Sequence, residues 1–293
     1  MAAEPDQPPM IAVVGETASG KSSLALEIAK RYDGEIICAD SRTIYKGMDV
    51  GTAKPRPEEQ AQVAHHLLDV AEPGVQFTAA DFKRLAEEAI KDITARGKLP
   101  ILVGGTGLYV DSIIFDYQFA RVANSTERTR LDALDIAQLS ALIKERGLSV
   151  PENEKNKRYL IRTLERGAGT ANDREVLRPR TLVIGLKPSR LQLRQRIESR
   201  VEQMFRRGLR REVEELQQKY GWDSEALTGI GYREFRSLYE GHEVSMSAIK
   251  RQIVQDTLAL AKRQRTWFKR NPHIVWLEEA QQAYPLIDAF LGR

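Results

Sequence analysis

The chain has 293 residues, of which 42% are hydrophobic and 29% are charged, and its formal net charge is +4. This composition is typical of a globular protein with a full hydrophobic core, built as one large domain or two moderate ones. Because Cys38 is the only cysteine, a disulfide framework and a cysteine-based zinc site within the chain are excluded. No apolar run is long enough to cross a bilayer, and residues 1–9 lack the basic and apolar regions of a signal peptide, so we expect a cytoplasmic protein without membrane contact.

The first third of the chain predicts alternating strands and helices. Short apolar runs predict four strands, at residues 10–14, 34–39, 67–70 and 100–105. Helix-forming stretches follow at residues 23–30 and 79–96. This alternation is typical of a parallel sheet with crossover helices, in which ligands bind beyond the carboxyl ends of the strands. We therefore expect the residues that follow these strands to converge on one crevice.

The sequence changes character after residue 115. Residues 116–179 are mostly polar and helix-forming, and a strand pattern returns at residues 181–186. Three further elements are predicted: basic helices at residues 190–220 and 247–270, and a strand at residues 274–277. We interpret residues 1–115 and 180–293 as an α/β catalytic core with a helical C-terminal part, and residues 116–179 as an inserted all-helical domain.

Residues 15–22, with the sequence GETASGKS, fit the phosphate-loop pattern G-x-x-x-x-G-K-[ST] between a predicted strand and a predicted helix. Backbone N–H groups and the helix N-terminus can point at one anion, Lys21 adds a cation, and the Ser22 hydroxyl can hold Mg²⁺. The sequence therefore predicts a site for a diphosphate or triphosphate group, of ATP or of another molecule. A glycine-rich turn that binds nothing is the alternative. With the sheet, this loop indicates a P-loop NTPase-like fold, a parallel sheet flanked by helices.

Asp40 follows the second predicted strand, at the same edge of the sheet as the phosphate loop. A carboxylate there can ligate Mg²⁺ through water, accept a proton from a nucleophile, or cap the next turn. The residues alone leave these three roles open.

The adjacent histidines His65 and His66 invite a metal-site interpretation. Neighbouring side chains of a strand point to opposite faces, and no cysteine or third histidine lies near. We therefore expect these histidines to shape a loop beside the phosphate site.

Blocks of sequence spread from residue 15 to residue 268 resemble the tRNA dimethylallyltransferases, also called tRNA isopentenyltransferases. The blocks are the phosphate loop and residues 40–55, 65–69, 104–109, 158–165, 196–213, 231–234 and 262–268. They occur in the order that the family has, and this order is far more specific than the phosphate loop alone.

The resemblance implies a prenyl transfer, in which a dimethylallyl group passes from dimethylallyl diphosphate to N6 of the adenine just 3′ of the tRNA anticodon. The phosphate loop then holds the diphosphate leaving group, with Mg²⁺, and not ATP. By resemblance, Asp40 accepts the N6 proton, and Thr17 and Thr106 position donor and base. Lys21 and Arg200 stabilise the charge that develops on the diphosphate. The residues implied in diphosphate binding are Gly15, Thr17, Ala18, Ser19, Gly20, Lys21, Ser22, Arg196 and Arg200, with Ser22 as the metal ligand.

The predicted helix at residues 249–270 is strongly basic and carries Trp267 and Phe268 among its cations. This pattern suits phosphate contacts and stacking on an unpaired base, and a solvated basic face is the alternative, here and at Arg196 and Arg200. The resemblance favours RNA, with the inserted domain on the anticodon stem-loop and the adenine extracted from its stack. The residues assigned to tRNA contact are Asp40, Ser41, Arg42, Thr43, Arg158, Tyr159, Arg162, Gly231, Tyr232, Arg233, Lys262, Arg263, Gln264 and Trp267. Tyr232 is as consistent with a core position, and we expect a monomer.

The sequence departs from the family pattern at three places. Glu16 stands where the family's loop commonly has proline, and a carboxylate near a diphosphate is unfavourable unless it turns away from it. Tyr159 replaces a usual arginine of the inserted domain, and Leu258 and Ala259 replace a usual Arg-Gln pair. These departures bear on RNA contact more than on the chemistry.

Three other functions compete with tRNA prenylation. An adenylate isopentenyltransferase would prenylate free adenine nucleotides, and the helical insertion with the Lys262-Arg263-Gln264 segment favours tRNA over it. A small-molecule P-loop kinase would bind ATP in the loop, but no adenine-clamping lid sequence is evident. An RNA-binding ATPase switch would give Asp40 and Thr106 no role.

Overall fold

The computed structural model describes residues 7–119, 125–151, 154–166 and 176–293. Within these residues six parallel strands form one sheet, in the order β3-β2-β4-β1-β5-β6. The strands are β1 (Met10–Gly15), β2 (Gly34–Ala39), β3 (His65–His66), β4 (Leu99–Gly104), β5 (Thr181–Leu186) and β6 (Ile274–Leu277). The predicted parallel α/β fold is therefore confirmed, and five of the predicted strands agree with the structure within one residue.

The apolar character of β1 follows from its central place in the sheet. It pairs with β4 on one side and β5 on the other, and all six of its residues are buried. A parallel strand that is covered on both faces lacks the polar alternation of a solvent-facing strand. Ile11 and Val13 pack on one face with Leu24 and Ile28, which belong to the helix that follows the phosphate loop.

Helices flank the sheet and form most of the C-terminal part. They are α1 (Lys21–Arg31), α2 (Pro57–Gln60), α3 (Ala79–Ala95), α4 (Gly107–Ile114), α5 (Ser125–Ala133), α6 (Ile136–Glu145), α7 (Lys157–Arg166), α8 (Arg190–Arg206), α9 (Leu209–Tyr220), α10 (Arg236–Tyr239), α11 (Met246–Phe268) and α12 (Ala283–Leu291). Side-chain caps fix where two of the long helices begin, with Thr78 accepting from the Asp81 N–H and Ser189 from the Gln192 N–H.

Two predictions of secondary structure were wrong. The strand expected at residues 67–70 is a turn, since Leu67 and Asp69 have φ values of 63° and 55°, and the strand itself is limited to the two preceding histidines. The helix expected at residues 190–220 is broken at Gly208, whose φ of 91° lies in the left-handed region that glycine adopts without strain. The chain therefore changes direction between α8 and α9.

The chain divides into two compact units. Met1–Asp116 and Arg174–Arg293 form the unit that contains the sheet, and Tyr117–Asp173 form the other. The described part of the second unit consists of α5, α6 and α7 around an apolar core that includes Leu131, Leu139 and Leu160. Across the described ranges, no helix is both long enough and apolar enough to span a membrane.

A buried charge cluster lies at the amino-terminal edge of β2. The Glu35 side chain is 3% exposed, and its Oε2 atom lies 2.9 Å from Arg96 Nη2 and 2.7 Å from His66 Nε2. Hydrogen bonds from Arg96 above all, and from His66 and Lys98, lower the pKa of Glu35 to about 2. His65 bonds through Nδ1 to the Val63 carbonyl. The expectation that the two histidines shape a loop was wrong, because they form the strand β3 itself and pair with Ile36 and Ile37 of β2.

Acid should weaken the fold through Glu35. Because its folded-state pKa of about 2 lies below the usual 4.5, the ionised carboxylate contributes stability above pH 4.5 that is lost as the pH falls towards 2. We expect Glu35→Gln to lower the free energy of unfolding by about 3 kcal/mol at pH 7 and by about half as much at pH 3, measured by urea denaturation. Glu27→Gln, at an exposed carboxylate near Lys30, is the matched control. Equal losses at both pH values for Glu35→Gln would contradict the assignment.

Candidate active site

A crevice of about 380 Å³ opens at the carboxyl ends of the central strands. Thr17 follows β1, Asp40 follows β2 and Thr106 follows β4, and all three line this crevice. Helices α8 and α11, the loop at residues 51–52 and the segment around residues 228–233 supply further parts of the wall. The parallel sheet thus brings together three side chains that lie far apart in sequence, as the strand pattern predicted.

The phosphate loop has the backbone conformation of an anion-binding turn. Ala18 and Gly20 have φ values of 61° and 99°, and α1 begins directly after Gly20. The Lys21 Nζ atom donates to the Glu16 carbonyl at 3.1 Å, and Ser19 Oγ is buried without a hydrogen-bond partner within the described residues. Successive N–H groups around a left-handed turn form a concave site for an anion.

Three charged side chains act on one another beside this loop. The pKa of Lys21 is lowered to about 8, mainly by burial and also by Arg200, while Asp40 and Glu16 act in the opposite direction. Burial also lowers the pKa of Arg200, against the influence of Asp40. The Arg200 Nη2 atom donates to the Thr52 carbonyl at 2.8 Å. Two cations that are held together and partly withdrawn from water favour an anion between them.

Arg196 meets the phosphate loop from the same helix. Its Nη1 atom donates to the Ser19 carbonyl at 2.8 Å and lies close to Gly20. Arg196 and Arg200 are therefore directed into the protein by backbone carbonyls, which differs from a purely solvated helix face. The structure places both arginines within α8 at the loop or crevice.

Asp40 is held in place by its own turn. Its Oδ1 atom accepts a hydrogen bond from the Arg42 N–H at 2.8 Å, so the capping role considered for this residue is present. This hydrogen bond uses one of the two carboxylate oxygens of Asp40. Because Asp40 also lines the crevice, capping is compatible with contact to a ligand. Next to it, Thr106 Oγ1 accepts from the Ser41 N–H at 3.0 Å and joins the two loops.

Part of the crevice wall is apolar. Ile197, Val201 and Met204 of α8 and Ile253 and Leu260 of α11 line it. A crevice that combines cations and a carboxylate with aliphatic side chains suits a ligand that is itself part anionic and part apolar.

Helix α11 contacts the loops after β1 and β4, and the start of α4, through the side chains of Gln264 and Trp267. Gln264 Oε1 accepts from the Thr17 N–H at 2.7 Å, and Gln264 Nε2 donates to the Gly105 carbonyl at 2.9 Å. Trp267 Nε1 donates to Asp111 Oδ2 at 2.9 Å, and the indole occupies the space that a side chain at Gly107 would need. The close approach of α11 therefore explains Gly105 and Gly107, whereas a side chain at Gly104 would collide with the Ala39 backbone of β2.

Several residues assigned to tRNA contact line the crevice, and these are Asp40, Ser41, Arg42, Gly231, Arg233, Arg263, Gln264 and Trp267. Some already have partners within the protein. Arg42 donates to the Glu225 carbonyl at 2.8 Å, and Arg233 pairs with Asp256 at 2.7 Å and with Glu234 at 3.2 Å. Lys262 is exposed on α11. For all of these residues the contact with RNA stays a prediction.

Three side chains expected to contact RNA are buried in the core. Tyr232 is 0% exposed and donates its hydroxyl to Glu212 at 2.7 Å, and Thr43 is 6% exposed. Phe268, expected to stack on a base, is 1% exposed. Each of these side chains points to the interior and none lines the crevice, and their contact with RNA stays a prediction.

The arginine-rich helix of the inserted segment is α7. Tyr159 is 44% exposed and Arg162 is exposed, whereas Leu160, Ile161 and Leu164 of the same helix are buried. The side chain of Arg158 lies outside the described residues. The contact of this helix with tRNA stays a prediction.

Comparison with known proteins identifies the family. The family model described as IPP transferase matches residues 43–271. The chain belongs to this family. A tRNA dimethylallyltransferase of Roseiflexus sp. (strain RS-1) is 41% identical over 285 residues, which cover 92% of this chain and 92% of the relative. A tRNA isopentenylpyrophosphate transferase of known structure, from Bacillus halodurans, is 33% identical with a TM-score of 0.75, covering 98% of this chain and 97% of that chain.

A more distant structure shows how far the IPP transferase fold extends. A eukaryotic dimethylallyltransferase acting on tRNA has a TM-score of 0.86 at 23% identity, over 98% of this chain and 80% of that chain. At this identity the likeness shows the fold alone. The family resemblance read from the sequence blocks is confirmed by the family model and the curated relatives.

Sequence reasoning missed Glu212, a residue that shapes this IPP transferase crevice from outside. Its carboxylate accepts from the N–H groups of Asp49 at 3.0 Å, Val50 at 2.6 Å and Gly51 at 2.9 Å, and from the Tyr232 hydroxyl. It thereby fixes α9 to the loop whose Gly51 lines the crevice. The signal was an acidic residue within the block at residues 196–213, but nothing in the sequence shows the partners.

Removing the Glu212 carboxylate should destabilise the protein strongly. It leaves three N–H groups and one hydroxyl without their acceptor, so we expect Glu212→Ala to lower the free energy of unfolding by about 3 kcal/mol in urea denaturation. Glu215→Ala is the control on the same helix, because Glu215 makes only an exposed pair with Arg211 and should change stability by less than about 0.5 kcal/mol. Similar unfolding midpoints for the two variants would refute the anchoring role.

Proposed function

We propose that this chain transfers a dimethylallyl group from dimethylallyl diphosphate to N6 of the adenine 3′-adjacent to the anticodon of tRNA and releases diphosphate. Membership of the IPP transferase family and relatives named tRNA dimethylallyltransferase support this function. The structural observation that carries it is the crevice itself, which joins Thr17 of the phosphate loop, Asp40 and Thr106 to apolar side chains. A prenyl diphosphate has this same combination of anionic and apolar parts.

The loop side of the crevice would bind and activate the donor. Breaking the allylic C–O bond leaves the electron pair on the departing diphosphate, whose negative charge is stabilised by fixed donors better than by water. The loop N–H groups, Lys21, Arg196 and Arg200 are the donors available there. The aliphatic side chains of α8 and α11 would hold the five-carbon chain and keep water from its reactive carbon.

Asp40 and Thr106, beside these cations, would align the base. Asp40 would accept the N6 proton as the nitrogen attacks, and the hydrogen bonds to Asp40 and Thr106 fix both side chains before substrate arrives. An exocyclic amine of adenine is a weak nucleophile, so the rate depends on alignment of nitrogen, carbon and leaving group. The adenine has to leave its stack to reach such a crevice.

Mg²⁺ is the cofactor that this site would take. Ser22 lies in the first turn of α1 with an exposed side chain, and no group of three or more histidine, cysteine or acidic residues suited to a metal occurs among the described residues. Mg²⁺ is commonly bound by one or two protein oxygens together with substrate phosphates and water, so the Ser22 hydroxyl fits it. When bound, Mg²⁺ would add positive charge at the leaving diphosphate.

The tRNA anticodon stem-loop would be bound by Arg263 at the crevice wall and by Lys262 and Arg162 on exposed helix faces. One chain supplies every residue that this mechanism uses. We therefore propose that the protein acts as a monomer, on tRNA in the cytoplasm.

A single assay separates this function from its rivals. The protein is incubated with Mg²⁺ and labelled dimethylallyl diphosphate, together with unmodified tRNA, AMP or no acceptor. Label in the anticodon loop of tRNA is the expected result. Label in AMP alone would show an adenylate isopentenyltransferase, and ATP turnover in a parallel reaction with ATP in place of the donor would show a kinase or an ATPase switch.

Asp40 should be required for transfer and not for donor binding. Asp40→Ala is expected to slow tRNA prenylation by about 10²–10⁴-fold, because the proton acceptor is lost. Asp40→Asn is the matched variant, since its amide oxygen can still accept from the Arg42 N–H while the amide cannot take a proton. We expect both variants to bind the donor with the native affinity in calorimetry. Native turnover in Asp40→Asn would limit Asp40 to capping, and loss of donor binding would make it a structural or metal-binding residue.

A further inference from the structure

Glu16, the acidic residue within the phosphate loop, is buried against an arginine of α11. Its side chain is 3% exposed. Both carboxylate oxygens are paired with Arg265, with Nε bonded to Oε1 and Nη2 to Oε2, the latter at 2.8 Å. A bidentate pair of this kind fixes distance and orientation together. The carboxylate is thereby directed to α11.

The Glu16–Arg265 pair is one of two contacts that join neighbouring residues of the phosphate loop to neighbouring residues of α11. Gln264 and Arg265 are adjacent on α11, and they bond to Thr17 and Glu16, which are adjacent in the phosphate loop. Gln264 also reaches the Gly105 carbonyl. The first turn of the phosphate loop is therefore held from one side by consecutive side chains of a single helix.

The Glu16 charge acts at the anion site. Glu16 is among the groups that raise the pKa of Lys21, and its carbonyl accepts from Lys21 Nζ at 3.1 Å. An unpaired carboxylate at this position would repel a diphosphate bound by the loop, and burial would weaken the screening of that repulsion by water. Arg265 places a compensating positive charge directly on it.

We infer that Glu16 and Arg265 form a positioning pair for the diphosphate-binding loop, in which Arg265 both fixes the loop and cancels the charge that Glu16 brings to it. The inference rests on the proposed use of this loop for the donor diphosphate. The inference predicts that loss of Arg265 and loss of the Glu16 charge have different effects on diphosphate binding. Losing Arg265 leaves a buried carboxylate beside the anion, whereas losing the Glu16 charge leaves a cation there.

The test is binding of inorganic diphosphate with Mg²⁺, measured by calorimetry on the full chain. We expect Arg265→Gln to raise the Kd by about tenfold or more, and Glu16→Gln to leave it unchanged or lower it. The double variant Glu16→Gln with Arg265→Gln should return to within about threefold of the native Kd, because no uncompensated carboxylate remains. In tRNA prenylation, Arg265→Gln should raise the donor KM far more than it lowers kcat. Arg84→Gln, which breaks an exposed pair with Glu88, is the control for net charge.

The outcomes distinguish this inference from the proposed function. If the native chain binds no diphosphate, the proposed function fails. If it binds diphosphate and Arg265→Gln binds equally well, or if the double variant is as weak as Arg265→Gln, the inference is overturned. Should Arg265→Gln not fold, the double variant still decides: the inference predicts a Kd within about threefold of the native value, and a Kd raised about tenfold or more would overturn it.

Discussion

The contact between α11 and the phosphate loop is the constraint on which the crevice depends. The Gln264 amide binds the Thr17 N–H and the Gly105 carbonyl, and so connects the loops after β1 and β4 to a helix that follows them by 247 and 159 positions. The same helix supplies Leu260 and Arg263 to the crevice wall. A shift of α11 would therefore change the phosphate loop, the loop beside Thr106 and the apolar wall together.

The cations and the carboxylate beside the phosphate loop have two different chemical functions. Lys21 and Arg200 are partly withdrawn from water beside the loop, and Asp40 lies within their electrostatic reach. An anion between the cations offsets their desolvation, while the carboxylate next to them stays available for a proton. A transferase that expels diphosphate and deprotonates an amine needs these two functions side by side. Pairing of Glu16 with Arg265 keeps a second carboxylate out of this arrangement.

Local signals made much of the fold predictable. Strands buried on both faces appear as apolar runs, and the phosphate loop is defined by its own residues and flanking elements. The burial and the partners of individual side chains were harder to predict. Phe268 belongs to the buried stripe of α11 with Ile249 and Ile253, and helical spacing could have placed it in the core. The partners of Tyr232 and Glu16 lie on other helices, and no spacing in the sequence reveals them.

The central claim is that the phosphate loop of this chain binds the leaving diphosphate of a prenyl donor. The most direct measurement is a crystal structure with Mg²⁺ and dimethylallyl S-thiolodiphosphate, a donor analogue whose carbon–sulfur bond breaks slowly. The account predicts that the diphosphate bonds to the N–H groups of the loop and to Lys21, with the dimethylallyl chain against the aliphatic wall and its reactive carbon facing Asp40. A diphosphate found elsewhere in the crevice, with the loop unchanged and empty, would contradict the account.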